Sequence, residues 1–144
     1  MPNPLAIFPD EKLAVIQYLR LRTEITTLTA AGKILTQIPA SPNYSTPYII
    51  VQRAGGTSIW PAIDEPSMQI DVVGGLLSGG GMDEVLCGQV ARAVRAAILA
   101  IANDIVPAGV LSSGHDEVAL QWMPDTVSVP TIARFTARYR VILH

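Results

Sequence analysis

The sequence predicts an α+β fold in which two helices pack on one face of an antiparallel-dominated sheet of four to five strands. Two observations support this class. Helix-period segments and strand-like segments follow one another in the order helix, three strands, helix, two strands. The last segment alternates apolar and polar residues over its whole length. With 144 residues, no internal repeat and no linker composition, residues 1–144 are expected to form a single domain.

Two segments carry the helical period. The first is about 10–24, where Asp10 is a candidate N-cap before a stripe of apolar residues. The second is about 82–103, where apolar residues recur three and four positions apart, and Asp83 or Ser78 stands near its start. Both stripes predict helices that bury one side against the sheet.

Five segments have strand character, and they are 33–39, 48–55, 68–75, 117–125 and 131–143. The second and third are expected to form an antiparallel hairpin joined by a long loop. The alternation of the last segment predicts one dry face, formed by Ala133, Phe135, Ala137, Tyr139 and Val141, against the helices. Long loops are expected at 39–47, 54–67, 74–82 and 104–116.

The wet face of the last predicted strand carries Arg134, Arg138 and Arg140, and Arg53 is a further candidate on a neighbouring strand. This face is either ordinary solvated surface or a stripe that meets another subunit or lines a lumen. Guanidinium groups suit the second use because they pair bidentately with carboxylates of another subunit.

The loop between the predicted hairpin strands contains two apolar residues, Trp60 and Ile63, in otherwise polar surroundings. Aromatic and aliphatic side chains of this kind are typical anchors at protein interfaces. They serve either as a contact with another subunit or as a cover over the chain's own core.

The stretch "GGLLSGGG" at 74–81 precedes the second helix and resembles a phosphate-binding loop only superficially. A P-loop needs a lysine and a Ser or Thr after its last glycine, whereas here Asp83 and Glu84 follow. The dinucleotide pattern G-x-G-x-x-G fails because Glu84 stands at its third glycine position. The stretch is therefore predicted to be a mobile connection without nucleotide affinity.

The composition and the remaining reactive residues do not indicate an enzyme. Cys87 is the single cysteine and lies in an apolar helical pattern, and His115 and His144 are far apart in sequence. The residues around His115 (GHDE) would diverge in direction on a strand, so a metal site is not expected there. Charged residues make up 15% of the chain, below the roughly 25% usual in soluble domains, and the net charge is −2. Apolar surface is thus expected to remain for partners, without the basic excess that favours nucleic-acid binding.

The chain as a whole resembles the tail terminator (tail completion) proteins of long-tailed phages. The resemblance rests on the order of several motifs: an amphipathic N-terminal helix, "QIPASPNYSTPYIIVQRAGG", "MQIDVVG", "VARAVRAAILAI", "LQWMPD" and "ARFTARYRVIL". It covers almost the whole chain, and it departs at the glycine stretch, where the family tends to have a short polar turn.

The resemblance implies a structural protein of the virion that forms a homohexameric ring at the neck end of the tail. Such a ring ends polymerisation of the tail tube, contacts the tail tube protein and a head–tail connector protein, and lets DNA pass without sequence-specific binding. It implies no catalysis, no cofactor and no membrane, and synthesis in the host cytoplasm. Three other classes remain open: another neck or head-closure protein, a small monomeric ligand-binding domain, and an enzyme that uses His115.

Overall fold

The computed structural model describes residues 9–59, 63–127 and 131–144. They form an α+β fold around one six-stranded sheet with the strand order β1-β2-β3-β6-β5-β4. The strands are β1 (Ile34–Leu35), β2 (Tyr48–Ile59), β3 (Ile63–Val73), β4 (Ala102–Val106), β5 (Gly109–Trp122) and β6 (Arg134–Leu143). The pair β1–β2 is parallel, and all other pairs are antiparallel. The predicted fold class is confirmed. The sheet has six strands where four to five were predicted, because β4 was not predicted.

Three helices accompany the sheet where the sequence predicted two. The first predicted helix is split into α1 (Glu11–Arg20) and α2 (Thr23–Thr26), and a 3-10 turn follows at Ala31–Lys33. Asp10 caps α1 as predicted, because its carboxylate accepts a hydrogen bond from the Leu13 amide at 3.1 Å.

The helix α3 (Glu84–Leu99) is the longest helix of the described residues, and the Asp83 carboxylate caps it through the Leu86 amide at 3.0 Å. It ends four residues before the predicted boundary of 103. The residues after Leu99 enter the edge strand β4, so the predicted loop at 104–116 is instead most of the β4–β5 hairpin. His115 accordingly lies within β5.

The predicted loop at 54–67 is also strand for most of its length. The strands β2 and β3 continue pairing as far as Ile59 and Ile63, across a register shift between Arg53 and Gly56. Gly56 has φ +110°, and a Cβ there would lie 2.3 Å from the Glu65 carbonyl oxygen. This bulge needs glycine at position 56. The adjacent residues Gly55 and Gly56 made this segment resemble a turn in the sequence.

The core lies between the sheet and α1 and α3, which share one face of the sheet. It is formed by Val15 and Leu19 of α1, by Val90, Val94 and Ile98 of α3, and by strand residues that include Ile49, Val51, Met68, Ile70, Tyr139 and Val141. The Tyr18 hydroxyl ties the two helices together by donating to the Ala97 carbonyl at 2.6 Å. The opposite face of the sheet, here called the open face, carries no helix of the described chain.

Candidate functional site

The alternation of β6 separates the two faces of the sheet. Ala137, Tyr139 and Val141 are buried toward the helices, as predicted, whereas Arg138 and Arg140 are exposed on the open face. Phe135 is only partly buried and packs against Trp122, with ring centroids 5.1 Å apart and ring planes tilted by 57°. The strand begins at Arg134 rather than at residue 131.

A groove of about 420 Å³ crosses the open face where β3, β6 and β5 run side by side. It is lined by Gln69, Asp71, Val118, Gln121, Met123, Arg134, Thr136, Ala137 and Arg138. The register explains this set, because the pairs Gln69–Arg138 and Asp71–Thr136 place alternate side chains of β3 and β6 on the same face. The lining therefore combines two guanidinium groups, one carboxylate, two carboxamides, one threonine hydroxyl and three apolar residues.

The three arginines of β6 differ in how they are held. The Nε of Arg134 donates to the Met123 carbonyl at 2.8 Å, and the Nε of Arg140 lies 3.5 Å from a carboxylate oxygen of Glu117. Glu117 also accepts a hydrogen bond from the buried Ser67 hydroxyl at 2.8 Å. Arg138 makes no hydrogen bond or ion pair with any residue that the structure describes. It is thus the one arginine of this strand whose full hydrogen-bonding capacity is open to a partner.

Arg53 does not belong to this stripe. It pairs in register with Met68, which in turn pairs with Tyr139, so Arg53 lies on the helix face and two strands away from β6. There its guanidinium holds the Asp64 carboxylate bidentately, at 2.7 and 3.1 Å. Glu11 at the start of α1 is 3.8 Å away, and the hydrogen bond to Asp64 raises the pKa of Arg53.

Asp64 itself was predicted to be part of a surface loop, and this is wrong. Its side chain is only 3% exposed, against 31% for Arg53. A buried carboxylate with a bidentate guanidinium partner is a structural ion pair, which here lies toward the turn end of the β2–β3 hairpin and connects it, through Glu11, to α1.

The two apolar candidates of the hairpin have different outcomes. Trp60 lies outside the described residues. Ile63 is the first residue of β3 rather than part of a loop, and it is 37% exposed.

An apolar site that the sequence reading missed lies at the N-terminal end of α3. The glycine stretch forms a small hairpin in which Leu76 bridges Met82 and Gly80 turns with φ +92°. Leu77 and Val85 are 51% and 69% exposed beside them. We call Leu76, Leu77, Met82 and Val85 the hairpin patch, and the leucine pair within the glycine stretch is the signal that could have revealed it.

A second apolar site is Ile105 on the edge strand β4, which is 81% exposed. It is remote from the hairpin patch. Three strand spacings separate β3 from β4, roughly 14 Å across the sheet, and α3, about 24 Å long, separates the patch from the start of β4. The protomer therefore presents two distinct apolar sites on different sides.

The cysteine and the metal-ligating residue types show no reactive arrangement in the described part of the chain. Cys87 is fully buried, its thiol donates to the Val72 carbonyl at 3.3 Å, and burial raises its pKa to about 12. The described residues contain no cluster of three or more His, Cys, Asp or Glu side chains that could hold a metal ion. None of the described helices is both long and apolar enough to cross a membrane.

Comparison with known proteins gives matches among solved structures. No protein-family model matches the chain, and no curated protein matches it. Among solved structures, a chain of the "Virion of native gene transfer agent (GTA) particle" superposes with a TM-score of 0.62 and is 18% identical in sequence. The match covers 92% of this chain and 93% of that chain. The two proteins therefore share a fold over nearly their whole lengths.

Proposed function

We propose that this protein is a structural component of a phage-like virion and acts as the terminator of the tail tube. The observation that carries the proposal is the fold shared, over 92% of this chain, with a chain of a gene transfer agent virion. The sequence resemblance to tail terminators supplies the finer role: a homohexameric ring that ends tube polymerisation and offers the surface on which the head is joined.

The two apolar sites support an assembly of the ring type. A cyclic ring uses heterologous interfaces, in which one patch of a subunit meets a different patch of its neighbour. The hairpin patch and Ile105 are two such sites on different sides of one protomer. In this proposal the hairpin patch of one subunit contacts the β4 edge of the next.

The remaining partners in this proposal follow from the position of the ring at the neck of the virion. One side of the ring contacts the tail tube protein, and the other contacts a head–tail connector protein. DNA passes through the lumen without sequence-specific contacts. The proposed role involves no catalysis and no cofactor.

Two variants test the interface directly. Val85→Asp disrupts the hairpin patch, and Ile105→Asp disrupts the β4 site. Each substitution would bury an unpaired charge in the contact between two subunits. Either variant alone should give monomers by native mass spectrometry, with and without purified tail tubes. An equimolar mixture of the two variants should give dimers only. The intact hairpin patch of Ile105→Asp can still contact the intact β4 edge of Val85→Asp, and no further contact can form. Val127→Asp, at a valine that is 92% exposed and belongs to neither site, is the matched control and should give normal rings.

The same experiment separates this proposal from its rivals. Rings that form on tail tubes and limit their length in electron micrographs support the terminator role. Rings that bind only purified head connectors would identify a head-closure protein instead. A wild-type protein that stays monomeric in the presence of both would contradict assembly altogether.

A further inference from the structure

The groove on the open face has the chemistry of a peptide-binding site. Two of its side chains, Arg134 and Arg138, supply guanidinium groups, and Gln69 and Gln121 supply carboxamides that can both donate and accept. Its volume of about 420 Å³ falls within the range of roughly 300–1,000 Å³ usual for ligand pockets. A ligand of this groove has to supply a negative charge to the guanidinium of Arg138, which has no partner among the described residues.

The spacing of the two arginines defines the ligand further. They are four residues apart on one face of β6, which corresponds to about 13 Å at ~3.3 Å per residue. An extended polypeptide has the same repeat, so carboxylates on its residues i and i+4 would stand the same distance apart on one side. Guanidinium and carboxylate groups form the strongest type of side-chain hydrogen bond.

We propose that this groove binds an extended segment of another protein that carries two carboxylates four residues apart. Each carboxylate pairs with one guanidinium, of Arg134 or of Arg138. The apolar side chain midway between the two carboxylates, at residue i+2 on the same side of the segment, contacts Val118 and Met123, which also line the groove. The inference holds whether or not the protein forms a tail ring, because it depends only on the open face of one protomer.

The groove suits a peptide better than a nucleic acid. Asp71 lies within it, Glu117 neutralises the adjacent Arg140, and the whole chain has a net charge of −2. A phosphate backbone is bound by clusters of lysine and arginine without such carboxylates.

A second copy of this chain also lacks the required segment. Of its twelve acidic residues, all of which lie in the described part of the chain, ten have hydrogen bonds or ion pairs within their own protomer. The two that remain, Glu65 and Glu84, lie on different elements and are not four residues apart. The partner is therefore a different protein.

A defined peptide tests the spacing and the charge. The probe is the fluorescein-labelled, C-amidated peptide Glu-Thr-Val-Thr-Glu, in which the central valine faces the same side as the two glutamates, and binding is measured by fluorescence anisotropy at low and at moderate salt. It should bind saturably, and more weakly as salt rises. Replacing both glutamates by glutamine should weaken binding at least about tenfold, as expected for loss of charged hydrogen bonds. An isomer of equal charge with the glutamates two residues apart should also bind at least about threefold more weakly.

Variants of the protein locate the site. Arg138→Gln should weaken binding of the peptide about tenfold or more. Arg140→Gln is the matched control on the same strand, outside the groove lining, and should change the affinity less than about twofold. Circular dichroism should show both variants folded, because both arginines are exposed.

Four results would overturn the proposal. The first is no saturable binding to the wild-type protein, and the second is an equal loss in Arg138→Gln and Arg140→Gln. The third is displacement of the peptide by a 20-base-pair DNA duplex that binds more tightly than the peptide. The fourth is a loss of self-association in Arg138→Gln, which would assign the groove to a second copy. The third and fourth results would leave the tail-terminator proposal intact, and failure of ring formation would leave the peptide result intact.

Discussion

The ion pair between Arg53 and Asp64 should respond unequally to removal of its two partners. The Asp64 side chain is 3% exposed and Arg53 is 31% exposed. In Arg53→Met, the carboxylate stays buried without a partner, which costs about 3 kcal/mol of the free energy of unfolding. In Asp64→Asn, water can solvate the remaining guanidinium, so the loss should be about 1–1.5 kcal/mol.

These free energies convert into measurable melting temperatures. A chain of 144 residues has an unfolding entropy of about 0.3 kcal/mol/K at the midpoint, so 1 kcal/mol corresponds to about 3 °C. We expect Tm to fall by about 10 °C in Arg53→Met and by about 4 °C in Asp64→Asn. The double variant Arg53→Met/Asp64→Leu should recover to within about 3 °C of the wild type, because an apolar pair removes both desolvation costs.

Scanning calorimetry of the four proteins would test this order of melting temperatures. Arg22→Met is the control, since its partner Glu24 is 42% exposed, and it should change Tm by less than about 2 °C. If Arg53→Met proves as mild as this control while ring formation is lost, the reasoning fails. Arg53 would then act between subunits, as the sequence suggested, and not within the protomer.

Three other measurements follow from the described contacts. Gly114→Ala should destabilise the fold by about 2 kcal/mol or more in urea titrations, because the new Cβ would lie 2.4 Å from the Ile98 carbonyl oxygen, whereas Gly32→Ala, with no atom within 4 Å, should not. Cys87, buried and with a pKa raised to about 12, should resist iodoacetamide at pH 8 in the folded protein and react once urea unfolds it; rapid native labelling would refute its burial. Burial raises the pKa of Tyr139 to about 12, above the unfolded value of about 10, so its stabilising contribution is complete below pH 10 and is lost as pH rises through 12. Tyr139→Phe should therefore be less sensitive to pH between 10 and 12, and an unchanged alkaline unfolding curve would contradict this.

The parts of the fold that the sequence predicts well are those with a sustained period. The alternation of β6 gave the buried side chains Ala137, Tyr139 and Val141, and therefore also the exposed arginines of the groove. The three- and four-residue spacing gave α3. In both elements one side is dry, so burial imposes the pattern on the sequence.

The misses have local physical causes. Gly55 and Gly56 are turn residues by type, yet here they form a bulge inside a long hairpin. The strand β4 was missed because its first two residues fell in the helix predicted over 82–103 and the rest fell in the loop predicted over 104–116. Arg53 shares a face with buried neighbours in its own strand, and the sequence does not show which carboxylate pairs with it; the structure identifies Asp64 as that partner. Pairing between strands decides which charges meet, and this pairing is not encoded in any one segment.

The position of β6 in the sheet has a consequence for how the protein is made. It follows all the other strands along the chain, yet it lies between β3 and β5. Until β6 emerges from the ribosome, β1–β2–β3 and β4–β5 are two separate ladders with open inner edges. The β3–β6 pairing, which joins the two ladders, is therefore distant in sequence and forms last, which slows folding and exposes the nascent chain to mispairing. The strand β6 therefore completes the sheet, and assembly into any larger structure requires that β6 has already paired with β3 and β5.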